Sequence, residues 1–128
     1  MKRIILGISV LLILVQNVFS YTDKEFDIMI ANASSEHMKQ GFRCDKIASN
    51  HSSTGDVSIC LKALEIDKKR NSKKENIAID YLNVGVIYDH QNNKLKAYEY
   101  FMKSAKLGNI TAQKNLDIIC KKSPWACK

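Results

Sequence analysis

Residues 81–116 read YLNVGVIYDHQNNKLKAYEYFMKSAKLGNITAQKNL, and this stretch carries the strongest signals of secondary structure and packing. Its apolar and small residues recur at helical spacing on both sides of a polar turn at 91–93. Gly108 and Asn109 then interrupt the pattern before another helical run starts at Ile110. The spacing predicts three antiparallel helices, at 74–90, 94–107 and 110–121.

Large and small side chains alternate here in a way that suits two closely packed helices. Gly85 and Ala97 are small enough for antiparallel helices to approach closely, and Ser104 leaves room for the next helix. Aromatic rings fill the space above and below that contact. The predicted packing positions are Tyr81, Val84, Gly85, Tyr88, Ala97, Phe101, Ser104, Gly108, Ala112 and Leu116.

This pattern resembles the tetratricopeptide repeat, and residues 96–116 are similar to its Sel-one-like subfamily, which reads KA…Y…KAA…GN…AQ…L across the same junction. The resemblance covers about residues 77–120. The following repeat departs from the pattern, because it has Asp117 where glycine is expected and Cys120 where tyrosine is expected. It then stops after its first helix.

An upstream repeat is present only in degenerate form. Ala63 lies one repeat length of about 34 residues before Ala97, but Asp67 occupies a position that the pattern gives to an aromatic residue. One repeat cannot bury its own faces. We therefore expect the flanking helices to act as caps, in a mature chain divided into a cap region at 21–74 and a repeat region at 75–128.

The resemblance implies a concave groove formed mainly by the first helix of each pair. In this chain that is the helix at 74–90, with the helix at 110–121 beside it. The residues that the resemblance places facing a partner are Asn83, Ile87, Lys114 and Asn115. Ordinary solvated helix surface is the alternative interpretation of these positions.

The first 20 residues have the three parts of a secretory signal. Two cations open the chain, an apolar run follows, and Val18-Phe19-Ser20 offers small enough residues for cleavage before Tyr21. The alternative is a membrane anchor, but a spanning helix needs about 20 apolar residues, and this run is shorter and contains Gln16 and Asn17. We expect a periplasmic or secreted protein with no stable membrane span after cleavage.

All four cysteines lie after this leader. An even number in a small exported domain predicts two disulfides, for which three pairings exist. The sequence-local pairing is favoured, and free buried thiols are the alternative. A zinc site is disfavoured because zinc ligands usually lie two to four residues apart. The predicted pairs are Cys44 with Cys60 and Cys120 with Cys127.

The first half of the mature chain carries weaker signals. They predict a helix over about 22–40 that ends at Gly41, a loop at 49–55 and a second helix at 56–69. Residues 68–74 hold five cations, which suit a solvated helix end and linker. A docking patch for an acidic partner or an anionic membrane surface is the alternative. The predicted fold class is all-α, with about five antiparallel helices after the cleaved leader.

Nothing in the sequence indicates catalysis. His37, His51 and His90 are scattered, and the chain has no nucleophile elbow, paired-histidine metal motif or phosphate-binding glycine loop. We therefore expect no enzymatic activity, cofactor or metal.

The net charge and the predicted export limit the classes of molecule that we expect as partners. The net charge is +7, or +5 without the leader, which favours acidic protein partners. Export argues against nucleic acid. The predicted function is an exported helical-repeat module that binds another protein. The alternative is a periplasmic immunity protein that inhibits a secreted bacterial toxin.

Overall fold

The structure, a computed structural model, describes residues 21–50 and 55–128, and over these residues it is all-helical with no strand. The expected leader at 1–20 and the loop positions 51–54, including His51, lie outside the described residues. None of the helices in the described part is long and apolar enough to cross a membrane. The elements are α1 (Asp23–Asn32), α2 (Glu36–Ser49), α3 (Val57–Lys69), α4 (Lys74–His90), α5 (Lys94–Lys106), α6 (Ile110–Lys122) and a final 3-10 turn (Pro124–Cys127).

The last four α-helices match their predicted bounds to within one residue at each end. Asparagines begin two of them, since the side chain of Asn93 accepts from the backbone N–H of Lys96, and that of Asn109 accepts from Ala112 at 2.9 Å. Gly108 has a φ of +94°, a left-handed conformation that suits glycine. The predicted turn between α5 and α6 is therefore confirmed.

The single helix predicted over 22–40 is wrong. The chain leaves the helical conformation at Ala33, and Ser35 starts α2 by accepting a hydrogen bond from the Met38 N–H. A serine cap followed by Glu36 is a favourable helix start. Gly41 lies inside α2 rather than at a helix end, with no atom within 4 Å of the place where a β-carbon would be. The described part therefore holds six α-helices rather than five.

Each helix packs on the next one in the chain, and α2 also contacts α4. The buried core forms two clusters. The central cluster comprises Cys44, Ala48, Cys60, Ala63, Val84 and Ile87. The C-terminal cluster comprises Ala97, Phe101, Ala112, Leu116, Ile119 and Ala126. Val86 and Tyr88 pack against both clusters and so join them through α4.

The tightest helix contact lies between α4 and α5. A β-carbon added at Gly85 would come within 2.6 Å of the Phe101 ring, which confirms the close approach predicted at this glycine. The buried Ser104 hydroxyl donates to the Ala78 carbonyl at 2.6 Å and ties α5 to α4 a second time. Of the predicted packing positions, Gly108 is exposed in its turn, Tyr81 and Tyr88 are half-buried, and the buried ones are Val84, Gly85, Ala97, Phe101, Ser104, Ala112 and Leu116.

The predicted disulfide pairing is confirmed. Cys44 and Cys60 join α2 to α3 with Cα atoms 4.7 Å apart, and both are fully buried in the central cluster. The pair Cys120–Cys127 joins α6 to the final turn with Cα atoms 5.6 Å apart. Each bond closes a short loop and contributes about 2–4 kcal/mol to stability.

Candidate functional site

A cavity of about 570 Å³ forms a groove that lies between α1, α2, α4 and the start of α6. Cavities of this size are typical of ligand-binding sites. Its lining is mostly apolar, with polar groups contributed by Asp45, Ser49, Glu75, Asn83, Asn109 and Thr111. The apolar lining includes Tyr21, Phe26, Met29, Ile79, Leu82 and Ile110.

Local sequence explains why these elements meet. Thr22 and Glu25 form a reciprocal capping box that starts α1, and the buried Phe26 fixes this helix against the rest of the domain. The Tyr21 ring packs edge-on against Phe26, with centroids 5.6 Å apart. At the other end of the groove, the turn at Gly108 directs the first residues of α6 into its wall.

Large apolar side chains remain exposed along the groove. Ile79 of α4 is 43% exposed and Ile110 of α6 is 72% exposed. Contiguous exposed apolar surface rimmed by polar residues is typical of interaction sites. The groove therefore has the physical character of a surface that is covered in a complex.

A hydrogen bond joins two polar residues of the groove lining, Asp45 of α2 and Asn83 of α4. The side-chain amide of Asn83 donates to the Asp45 carboxylate at 2.8 Å. Burial raises the pKa of Asp45, and this hydrogen bond opposes the rise. Asn83, one of the predicted binding residues, thus lines the groove, and one of its amide N–H donors is bonded to Asp45.

A second cavity, of about 210 Å³, lies between α2, α3 and α4, and we call it the acidic pocket. Asp45 and Ile79 line both cavities, so the acidic pocket adjoins the groove. Among the residues that the structure describes, neither Lys nor Arg lines this pocket. Its lining residues are His37, Met38, Gly41, Phe42, Asp45, Asp67, Asn76, Ile79 and Asp80.

Asp67 is the centre of a hydrogen-bond network in the acidic pocket. Its Oδ1 lies 2.6 Å from the His37 Nε2 and accepts from the Ser72 hydroxyl at 2.6 Å. Burial acts to raise the pKa of Asp67, but hydrogen bonds with Asp80, Ser72 and His37 lower it overall. Asp67 is therefore the member of the network that remains a carboxylate.

Asp80 has the opposite character. Its burial, its hydrogen bond to Asp67 and the nearby charges of Asp67 and Asp45 raise its pKa to about 9. Two carboxyl groups share a hydrogen bond only when a proton lies between them. The Asp67–Asp80 pair therefore holds one proton at neutral pH.

An aromatic face lies on the other side of α4. Tyr100 stacks with Tyr88 at 5.7 Å between centroids and lies 6.2 Å from Tyr81. Lys68 lies over the Tyr81 ring at 5.1 Å, and Lys103 lies over the Tyr100 ring at 4.8 Å. Both lysines thus make cation–π contacts with tyrosine rings of this face.

The basic segment at 68–74 divides between two elements. Lys68 and Lys69 form the last turn of α3, and Lys69 is paired with Glu65 at 2.8 Å. The following residues form the linker to α4, where Lys73 precedes the helix. The placement agrees with the interpretation as a solvated helix end and linker.

The other predicted binding residues do not gather in the groove. Ile87 was expected to be exposed, but it is 1% exposed and packs in the central cluster, so that expectation is wrong. The reason is that it lies one helical turn from Val84, on the face of α4 that packs against α2 and α3. Lys114 is exposed and Asn115 half-buried on α6, and neither lines either cavity.

The sequence did not identify His37, Asp67 and Asp80 as site residues, because they lie on three different helices. One signal was present, since Asp80 lies one helical turn before Val84, a position that the repeat pattern buries. Asp67, noted as a departure from the repeat, is the residue that hydrogen-bonds with it.

No group of three or more His, Cys, Asp or Glu side chains in residues 21–50 and 55–128 is arranged to hold a metal ion. Comparison of the chain with protein-family models, with curated proteins and with solved structures finds no match.

Proposed function

We propose that this protein is an exported, non-catalytic helical-repeat module of the Sel-one-like type, and that its groove binds a polypeptide segment of another protein. The observation that carries the proposal is the groove itself, a cavity of about 570 Å³ with exposed isoleucines at its edge. An elongated apolar surface between helices suits a chain segment with apolar side chains.

The location of the groove supports the repeat interpretation. Residues of α4 and the first turn of α6 line it, and these are the helices that a tetratricopeptide-like array uses for its concave face. The close contact of Gly85 with Phe101 and the glycine turn before α6 also agree with that type of repeat. Asp45 and Ser49 of α2, the helix that begins the degenerate repeat expected upstream, also line the groove.

The disulfides support export. Both pairs are formed, and disulfides persist mainly in oxidising compartments outside the cytosol. If the leader is removed as proposed, N-terminal sequencing of the protein recovered outside the cytosol gives Tyr21 as the first residue. An intact 128-residue chain with reduced cysteines in the cytosol would contradict the proposal.

The charge of the groove refines the expected partner. Its charged lining residues are Asp45 and Glu75, so a segment without acidic side chains fits it best. The net positive charge of the chain favours acidic surfaces elsewhere on the partner. The exposed lysines outside the groove would contact such surfaces.

Selection of displayed peptides against the oxidised protein tests the proposal. We expect enriched peptides to carry apolar side chains and to shift the backbone amide resonances of α4 and the start of α6. Ile110→Glu should weaken their binding at least about tenfold, a loss of about 1.4 kcal/mol. An acidic residue suits the first turn of α6, so the variant should fold.

Ile118→Glu is the matched control, because Ile118 is also an exposed isoleucine of α6 but does not line the groove. It should bind the same peptides as the unmodified protein does. Equal loss in both variants, or amide shifts confined to other helices, would contradict the groove as the binding site.

A further inference from the structure

The acidic pocket brings together carboxyl groups from three helices. Asp45 comes from α2, Asp67 from α3 and Asp80 from α4, and His37 of α2 is hydrogen-bonded to Asp67. The α5 helix, which also packs on α4, contributes the uncharged Ser104 at Ala78. His37 is thus the one cationic type of side chain that lines this pocket in the part of the chain described.

Asp80 lines this pocket and has one oxygen without a hydrogen bond. The residue is 6% exposed, and its Oδ2 is closed to solvent and has no hydrogen-bond partner among the residues that the structure describes. Buried polar atoms are nearly always hydrogen-bonded, so a donor that enters the pocket would satisfy this oxygen once the Asp80 carboxyl group turns toward it. The oxygen is on a carboxyl group, which favours a donor that also carries positive charge.

The entrance of the pocket is apolar. Met38 is 42% exposed and Ile79 is 43% exposed, and Phe42 also lines the pocket. A lysine side chain has the matching form, because its aliphatic stem packs on apolar surface while its ammonium group makes three hydrogen bonds. A wider, planar guanidinium needs two acceptors in one plane, and Asp67 already uses Oδ1 for His37 and Ser72.

We propose that the acidic pocket binds the ammonium group of a lysine in the polypeptide segment that occupies the groove, with the aliphatic stem of that lysine against Met38, Phe42 and Ile79. This inference rests on the proposed function, which it deepens by naming a side chain of the partner. Asp45 and Ile79 line both cavities, so a lysine next to the groove-bound residues reaches the pocket.

The bound ammonium takes the place of the shared proton. In the free protein the Asp67–Asp80 pair keeps one proton, which limits the repulsion between its members and from Asp45. When the ammonium group enters with its own three protons, the carboxyl proton leaves to solvent, and both carboxylates accept from the ligand. Binding is therefore coupled to proton release, and it strengthens as the pH rises.

The test uses n-butylammonium chloride as a probe of the lysine side chain, titrated into the oxidised full chain and followed by amide chemical shifts. We expect saturable shifts confined to α2, α3 and α4, with affinity that rises about fivefold or more between pH 6 and pH 8. An indicator dye in weakly buffered solution should record release of a proton. Butyrate, with the same stem and the opposite charge, should not bind.

Three variants separate the parts of the proposal. Gly41→Leu fills the pocket from a helix position with open space around it and should abolish binding. Asp80→Asn should remove the proton release and the pH dependence. Loss of both carboxylates in the Asp67→Asn/Asp80→Asn variant should weaken binding at least about tenfold. Asp117→Asn, at an exposed carboxyl group of α6, is the control and should change neither the affinity for butylammonium nor the proton release.

Three results would overturn the inference. These are shifts that do not saturate by about 100 mM probe, binding that Gly41→Leu leaves unchanged, and proton release that persists in Asp80→Asn. Any of them leaves the groove proposal standing if displayed peptides still bind and Ile110→Glu still weakens them. Failure of the peptides with retained butylammonium binding would instead contradict the proposed function alone.

Discussion

The ring of Phe101 occupies the space that any side chain at Gly85 would need, since a β-carbon there would lie 2.6 Å from both Cδ1 and Cε1. Phe101 is buried, so its ring cannot turn into solvent without leaving the core. The contact fixes how closely α4 and α5 approach. The position of α6, and with it one wall of the groove, depends on that approach, because α6 packs on α5.

Gly85→Ala should therefore destabilise the protein. Alanine favours a helix over glycine by about 1 kcal/mol, but forcing a methyl group into a packed core costs about 1–3 kcal/mol and moves α5. We expect a net loss in the free energy of unfolding, measured by urea denaturation of the oxidised protein. The groove should also lose affinity for its peptides.

Gly41→Ala is the matched control for that substitution. Gly41 is also in the interior of a helix, but a β-carbon there meets no atom within 4 Å. The same exchange should therefore stabilise the protein by about 0.5–1 kcal/mol. A loss of stability at position 41, or a gain at position 85, would contradict the packing described for these helices.

The proton held by Asp67 and Asp80 should make stability depend on pH. The folded-state pKa of Asp80, about 9, is far above the usual 3.8 of an aspartate side chain. Between these values the unfolded chain releases a proton that the folded chain keeps, so this group loses stabilising effect as the pH rises from about 4 to 9. The stabilising contribution is fully present only below that window.

Asp80→Asn removes this titration and keeps the shape of the side chain. The difference in unfolding free energy between the variant and the unmodified protein should shift in favour of the variant by about 1–3 kcal/mol between pH 5 and pH 9. Chemical denaturation at a series of pH values measures it. A difference that is constant with pH would show that Asp80 does not carry the proton.

The two disulfides should differ in their resistance to reduction. Cys44 and Cys60 are fully buried, whereas Cys120 and Cys127 are both partly exposed near the chain end. A thiol reductant needs access to a sulfur atom. We expect limited reduction to open Cys120–Cys127 first, as measured by alkylation and mass spectrometry.

Reduction of that bond should release the final turn, in which Ala126 is buried and Trp125 is exposed. Protease cleavage should then begin near the C-terminus, while the central cluster stays folded. Cleavage that begins in α2 or α3, or a C-terminus that stays as resistant as before, would contradict this order.

The helices of the second half could be predicted from the sequence because their signals are local. Asn93, Gly108 and Asn109 act within one turn of their own positions, so their effect can be recognised without the fold. The break between α1 and α2 was missed because Ser35 competes with an apolar pattern that continues past it. Gly41 was predicted to end a helix because glycine often does so, but it lies inside α2, where nothing in its surroundings requires a glycine.

The acidic pocket could not be predicted in the same way. His37 and Asp67 are 30 residues apart, and their hydrogen bond depends on how α2 packs near α3 and α4. Ile87 shows the same limit, because a position that would face a partner in a regular repeat array is covered here by α2 and α3. Asn83 was the predicted binding residue that does line the groove, where it is paired with Asp45.

We expect another protein to cover the groove in the cell. Photocrosslinking detects such a partner, with a photoreactive phenylalanine analogue placed at Ile110 in the groove and, in a matched chain, at Ile118, which is also exposed but lies outside the groove. The probes are activated in the cells that produce and export the protein, and mass spectrometry identifies each adduct and the crosslinked peptide.

We expect one dominant adduct at position 110, formed through a segment with apolar side chains and a neighbouring lysine, and competed by the peptides selected in vitro. Position 118 should give no such adduct. The same adducts at both positions, or none at position 110 in correctly folded and oxidised protein, would contradict the account.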